Sequence, residues 1–207
     1  MKKVDLSKVQ EVGSSNYKKL PAGGYIIRIL KCEDVPERNR LDFYFDIAEG
    51  EYKGFYNDRY KSDTRETKKW GGRFSKSYDS NNERALPFFK QFVTSVQNSN
   101  KGFVWDGEHE QQFVKKIVGA TFREEEYQDN TGKVRTSCKP DMFHSADKIR
   151  SGDFEVRELK KLTVTATTNN SNGTIINPFE DDNKPTESPF DDNSSPFDTN
   201  DDNIWGD

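Results

Sequence analysis

Seven cations, Arg59, Lys61, Arg65, Lys68, Lys69, Arg73 and Lys76, fall within one short stretch that holds only two acids. Tyr60, Trp70 and Phe74 are interleaved with them, and Tyr78 follows directly. Guanidinium and ammonium groups neutralise phosphates, and large flat rings offer faces on which unpaired bases stack. Alternation of the two is therefore the chemistry of a single-stranded nucleic-acid binder. The same residues would also suit a solvated basic loop with one or two rings packed on the body. An exposed cluster of large rings argues against that reading for the group as a whole. Tyr44 is a further stacking candidate, on a strand rather than in the loop. Arg123, Lys133 and Arg135 form a second, sparser set of phosphate candidates, opposed locally by Glu124, Glu125 and Glu126.

Catalytic chemistry has little to work with. His109 and His144 lack cysteine companions at metal-ligand spacing, and there is no His-Glu-x-x-His pair. Asp42, Asp46, Glu49 and Glu51 could gather a divalent cation, but acids alternating along a strand are ordinarily its polar face. No Gly-x-x-x-x-Gly-Lys-Ser/Thr loop is present. The expectation is a protein that is not an enzyme and needs no cofactor or metal.

The elements that must carry these residues are mainly strands. Tyr25, Ile27 and Ile29 alternate with Ile26, Arg28 and Leu30, and Leu41, Phe43, Phe45 and Ile47 alternate with Asp42, Tyr44 and Asp46. That period of two predicts strands, the second with one dry and one wet face. Cys32 to Arg40, containing Pro36 and Asn39, suits an antiparallel connection. Phe55 to Tyr60, after Gly50 and Gly54, reads as a third strand, and Arg59 to Lys76 as a long loop or flexible hairpin opening from it. Leu86, Phe89, Val93 and Val96, widened by Phe88 and Phe92, predict an amphipathic helix over Ala85 to Val96. A fourth strand runs through Val118, Ala120 and Phe122 to Tyr127. The turn residues Asp129, Asn130, Thr131 and Gly132 return the chain as a fifth, with Val134, Thr136 and Cys138 on one face. Phe143, Ile149, Phe154, Val156, Leu159 and Leu162 are expected to close the domain.

Charge divides the 207-residue chain in two. Residues 1 to 165 carry 31 Lys and Arg against 26 Asp and Glu, whereas residues 166 to 207 carry one Lys against ten acids. The acidic segment repeats Asn177-Pro178-Phe179, Ser188-Pro189-Phe190 and Ser195-Pro196-Phe197 beside acids and ends near Ile204-Trp205. Scattered rings among acids cannot build a core, so this tail is expected to be disordered until a partner protein takes up Phe179, Phe190, Phe197, Ile204 or Trp205. Three parts follow: a flexible arm at 1–19, a binding domain at 20–165 and an acidic interaction tail at 166–207. Cys32 and Cys138 have no Cys-x-x-Cys spacing, and no segment reads as a signal peptide or a membrane span. An intracellular protein is expected, with no membrane partner.

Three strands, a helix and two strands is the order of an OB-fold, a five-stranded Greek-key barrel with one helix between strands 3 and 4. Leu20-Pro-Ala-Gly-Gly-Tyr-Ile-Ile-Arg-Ile and Leu41-Asp-Phe-Tyr-Phe-Asp-Ile-Ala-Glu-Gly-Glu-Tyr-Lys-Gly-Phe resemble single-stranded DNA-binding proteins of bacteriophages of low-GC Gram-positive bacteria. Phe122-Arg-Glu-Glu-Glu-Tyr and Asp147-Lys-Ile-Arg-Ser-Gly-Asp-Phe are similar to later parts of that family, so the likeness covers roughly residues 20 to 162. The resemblance implies an OB-fold that coats single strands during phage replication or recombination, in the cytoplasm of the infected host. The terminal cluster is similar in kind to the acidic tails of bacterial single-strand-binding proteins, which implies recruitment of replication or recombination proteins. The tails of bacterial single-strand-binding proteins usually end in Pro-Phe, whereas this chain ends Ile204-Trp205-Gly206-Asp207. A protein-interaction adaptor, and a strand-annealing accessory that pairs complementary strands rather than only coating them, are the alternatives, and self-association is left open.

Overall fold

The computed structural model describes residues 19–162. Residues 1–18 of the 1–19 arm, and 163–207 with the whole acidic tail and its Phe179, Phe190, Phe197, Ile204 and Trp205, lie outside the described residues.

Five antiparallel strands form one sheet in the order β3-β2-β1-β4-β5. They are β1 (Gly23–Val35), β2 (Arg40–Ile47), β3 (Arg73–Ser77), β4 (Ile117–Gln128) and β5 (Val134–His144). Among the described residues three α-helices accompany them: α1 (Phe55–Ser62) between β2 and β3, α2 (Ala85–Ser99) between β3 and β4, and α3 (Ala146–Arg150) after β5. The alternation in β2 brings Leu41, Phe43, Phe45 and Ile47 into the core beside Ile27 and Ile29 of β1, and β4 adds Val118, Ala120 and Phe122. Phe89, Phe92 and Val96 of α2 lie against the same core, three and four residues apart as one helical stripe requires.

The expected barrel is not formed. The sheet is open: β3 and β5 are its two edges and no ladder joins them. The edges meet through side chains instead. Phe74 of β3 and Phe143 of β5 have ring centroids 4.7 Å apart, and Phe92 lies against both, at 5.5 and 5.0 Å. Rings thus fill the space that a closing backbone ladder would need. The OB-fold expectation, and the family likeness that implied it, are corrected by this open sheet.

Two elements differ from their sequence reading. Phe55 to Tyr60 is not a strand but most of α1. Gly54 turns the chain at a φ of +75°, a conformation that a glycine adopts without a Cβ clash. The Asp46 carboxylate, far back in β2, then accepts from the Tyr56 and Asn57 amides at 2.9 and 3.0 Å. Those donors have no partner within a helix's own first turn, so a remote acid caps α1. The real third strand, Arg73–Ser77, lies inside the stretch expected to be a loop, in register with β2 through Phe43 opposite Phe74.

The face of β2 expected to be wet is covered: Asp42, Tyr44 and Asp46 are all buried. The stripe of α2 is also narrower than expected, since Leu86 and Phe88 are 40% and 51% exposed.

Gly72 marks the tightest backbone approach. Its carbonyl accepts from the Phe45 amide at 2.8 Å, and a Cβ there would stand 2.1 Å from the Phe45 carbonyl oxygen and 2.9 Å from the Tyr56 ring. Gly72→Ala is expected to cost about 1–3 kcal/mol, as overpacking of a filled site does. Urea denaturation checks it, with an unchanged midpoint counting against so close a contact.

Candidate nucleic-acid interface

α1 and the segment that follows it carry the basic residues. Arg59 and Lys61 are exposed in the last turns of α1, and Arg65 and Lys69 are exposed beyond it. Arg65 is turned back onto Asp63, whose carboxylate accepts from its side chain and its amide at 2.9 and 3.0 Å. Those bonds hold the Asp63 carboxyl down to about 2. Tyr60 is half-buried: one side meets Trp70 at 5.6 Å and Lys68 places its ammonium 5.5 Å from the ring centroid. Arg59, Lys61, Lys68 and Lys69 thus belong to a short stretch of chain around one partly open ring.

The other stacking candidates are taken up by packing. Trp70 is 7% exposed and its indole N–H donates to the Phe45 carbonyl at 3.0 Å. Phe74 stacks on Phe43 with centroids 4.9 Å apart and planes 12° from parallel. Tyr78 donates its hydroxyl proton to Asp34 at 2.7 Å, a bond that pushes the phenol up to about 12, and its ring meets Phe89. Tyr44 is 4% exposed, donates to Glu33 at 2.9 Å, and is flanked by Lys31 and Arg73, each 5.7 Å from its centroid. Tyr44 and Trp70 are buried and Phe74 and Tyr78 partly so, through partners elsewhere in the chain.

Several of the cations are also engaged. Arg73 pairs with Asp42 at 2.8 Å, alongside Arg40 at 3.0 Å and the Ser75 hydroxyl. Burial works to raise the Asp42 carboxyl, but the Ser75 and Arg73 hydrogen bonds and the two guanidinia bring it below its ordinary value. Lys76 lies over the Phe143 ring at 4.4 Å, and burial pushes its ammonium down to about 8. In the β4–β5 hairpin, Arg123 pairs with Asp141 at 3.4 Å and Arg135 with Asp129, while Lys133 is exposed at the turn. The acids opposite are structural as well. Glu125 pairs with Lys160 and, at 3.7 Å, with Lys139, and the Glu126 carboxylate accepts from the Leu162 amide. Residue 160 runs alongside β4 there, on the side that β1 leaves open.

Sequence reasoning missed the rings at the start of α1. Tyr52 and Phe55 are partly exposed, with centroids 6.2 Å apart, next to the exposed Lys53. Tyr52, Phe55 and Arg59 follow a three-then-four spacing, the signal that reading this stretch as helical would have shown.

Among the described residues no group of three or more His, Cys, Asp or Glu could hold a metal ion, and no helix is long and apolar enough to cross a membrane. The nearest to a functional histidine is His109, whose Nδ1 lies 2.6 Å from Asp106 on an exposed loop. Neither a family model nor a curated protein matches this chain.

Proposed function

We propose that the protein binds single-stranded DNA without catalysis and largely without regard to sequence, protecting and organising the strand, while its acidic tail recruits partner proteins. The observation that carries this reading is the exposure of Arg59, Lys61 and Lys69 in the stretch that also holds Lys68 and the partly exposed ring of Tyr60. Exposed cations follow phosphates, and an open ring accepts any base because every base has a π-face. Tyr44 and Trp70 are buried and Phe74 is partly buried against the same core, so these rings pack the fold rather than stack on bases. The tail carries ten acids against one lysine, so it would not itself hold a polyanion.

Fluorescence anisotropy with a mixed-sequence single strand, its duplex and its RNA counterpart, repeated across salt, tests the reading. Tight binding of the single strand that weakens as salt rises is expected. Tyr60→Ala should weaken it by roughly 1–3 kcal/mol, the worth of one stacked base. Deleting the chain from Ile176 should leave DNA affinity equal or stronger. Absence of single-strand binding by both the full chain and the deletion variant would leave a protein-docking role for the basic surface.

A further inference from the structure

The first turn of α2 carries three consecutive apolar residues, Leu86, Pro87 and Phe88, and all three are exposed. They flank the buried stripe of Phe89, Phe92 and Val96 without joining it. A helix shaped by its own core alone would carry polar residues at those positions. Among the described residues the Phe88 ring meets no other ring, and the exposed side chains of Arg84 and Lys90, on the adjoining turns, pair with no acid.

Packing brings a third cation to this end of the helix. Phe92 meets Phe74 of β3 at 5.5 Å, and Phe89, nearly one turn earlier, meets Tyr78 just past the end of β3 at 6.5 Å, so α2 runs back along that strand. Lys76 stands between those two contacts and, two residues from Phe74, is turned to the same face. Its ammonium lies over the Phe143 ring, which Phe92 also meets, and the Gln91 side chain donates to the Phe143 carbonyl at 3.4 Å. Phe88 precedes Gln91 and Phe92 by three and four residues and so shares their side of the helix. Lys76 makes no ion pair among the described residues; the acid that acts on it, Asp141, is held by Arg123 at 3.4 Å and Arg157 at 3.5 Å. The acids next along the chain are Glu83, which is exposed, and Asp79, whose carboxylate accepts from the Asn81 amide at 3.0 Å. The balance around the patch is therefore positive, and the first turn of α2, which contains no acid, adds to it.

An exposed apolar patch among cations fits an apolar side chain that brings carboxylates with it. This chain carries that pattern three times, in Pro178-Phe179-Glu180-Asp181, Pro189-Phe190-Asp191-Asp192 and Pro196-Phe197-Asp198. A nucleic acid would match the charge but not the aliphatic surfaces of Leu86 and Pro87, on which a proline and a phenylalanine pack. Reach is sufficient. The Leu162 amide donates to Glu126 beside β4, and Phe179 follows 17 residues later. That length extends to about 55 Å, against a radius of gyration of about 15 Å for a domain of this size.

Resting on the tail's recruiting role in the reading above, we propose that the Leu86–Phe88 patch of α2, with Arg84, Lys90 and Lys76, is a docking surface for the Pro-Phe-acid clusters of this chain's own tail. One phenylalanine ring lies on Phe88, and the carboxylates that follow it face the cations. The body is thus itself a partner of the tail, and a protein recruited through the tail competes with it for the same clusters.

Zero-length carbodiimide coupling of carboxylates to amines in the full chain, mapped by mass spectrometry, tests this. Coupling of Lys90 to tail acids between Glu180 and Asp198 is expected, with a yield that falls as salt rises. Phe88→Ser should lower that yield about tenfold, as truncation of a central interface ring does. A thermal melt verifies that the variant is folded. Tail acids coupled to Lys61 and Lys69 as often as to Lys90, no coupling at all, or a yield unchanged in Phe88→Ser would overturn the docking while leaving recruitment of other proteins standing. A fall in single-strand affinity in Phe88→Ser, read by anisotropy, with coupling unchanged would assign the patch to nucleic acid and overturn it as well.

Discussion

Replacing Phe92 by alanine is expected to destabilise the fold by about 3–5 kcal/mol, the range for deleting a fully buried aromatic side chain. The ring is fully buried and meets Phe43 at 4.8 Å, Phe113 at 5.7 Å, Phe74 at 5.5 Å and Phe143 at 5.0 Å. Four rings on different elements cannot all move inward to fill the vacated space, because each is held by its own strand or turn. Part of the cost is therefore a cavity rather than lost transfer free energy alone. Phe92 also holds the edges of the open sheet together, since β3 and β5 share no ladder. Loss of near-ultraviolet circular dichroism with retained far-ultraviolet signal is expected near the new midpoint, as side-chain packing fails before strands unpair. Urea denaturation measures the free-energy change. A cost below about 1.5 kcal/mol, typical of tolerated core swaps, would mean that the edges are held by something other than this ring.

Strands whose pattern is local were legible in the sequence. β2 was announced by Leu41, Phe43, Phe45 and Ile47, the β4–β5 hairpin by the turn at Asp129 to Gly132, and α2 by its spacing of three and four. What was illegible depends on partners distant along the chain. α1 is capped by Asp46, ten residues before Tyr56, so no residue next to the helix announces it. β3 has one apolar residue, Phe74, in five, too few to show alternation. The wet face of β2 is covered by Arg40, Arg73 and Ser75 around Asp42, and by the first turn of α1 over Asp46. Closure of the sheet was likewise beyond local pattern, because it turns on whether rings or backbone occupy the space between two edges.

The candidate site divides in the same way. A run of cations is visible wherever it occurs, and Arg59 to Lys76 was found for that reason. Which of its rings remain open is set by tertiary partners: Trp70 is fixed by a carbonyl 25 residues earlier, and Phe74 by Phe43, 31 residues earlier. Tyr60 is only partly buried, packed against the core beside Trp70 with the Lys68 ammonium over its ring.

Asp46→Ala is expected to cost roughly 2–4 kcal/mol, because it leaves the Ile47, Tyr56 and Asn57 amides without their shared acceptor in a buried place. The carboxylate also gives the fold a pH dependence of unusual sign. Burial pushes its carboxyl up to about 6, against the pull of those three amides, whereas in the unfolded chain it titrates near 4. Between about pH 4 and pH 6 the folded chain therefore holds a proton that the unfolded chain has released. Stability from this group is fully present below the unfolded value and is lost as pH rises through the folded one. The loss amounts to about 3 kcal/mol for a shift of two pH units. Other acids act in the opposite direction: Asp42 and Glu125 are held below their ordinary values, and their contribution is lost as pH falls. The difference between wild type and Asp46→Asn isolates the group, since asparagine keeps the shape and one acceptor without titrating. Urea midpoints across pH 4 to 7 should fall less steeply, or rise more steeply, with pH in Asp46→Asn than in wild type. Parallel profiles would mean that Asp46 titrates alike in the folded and unfolded chains.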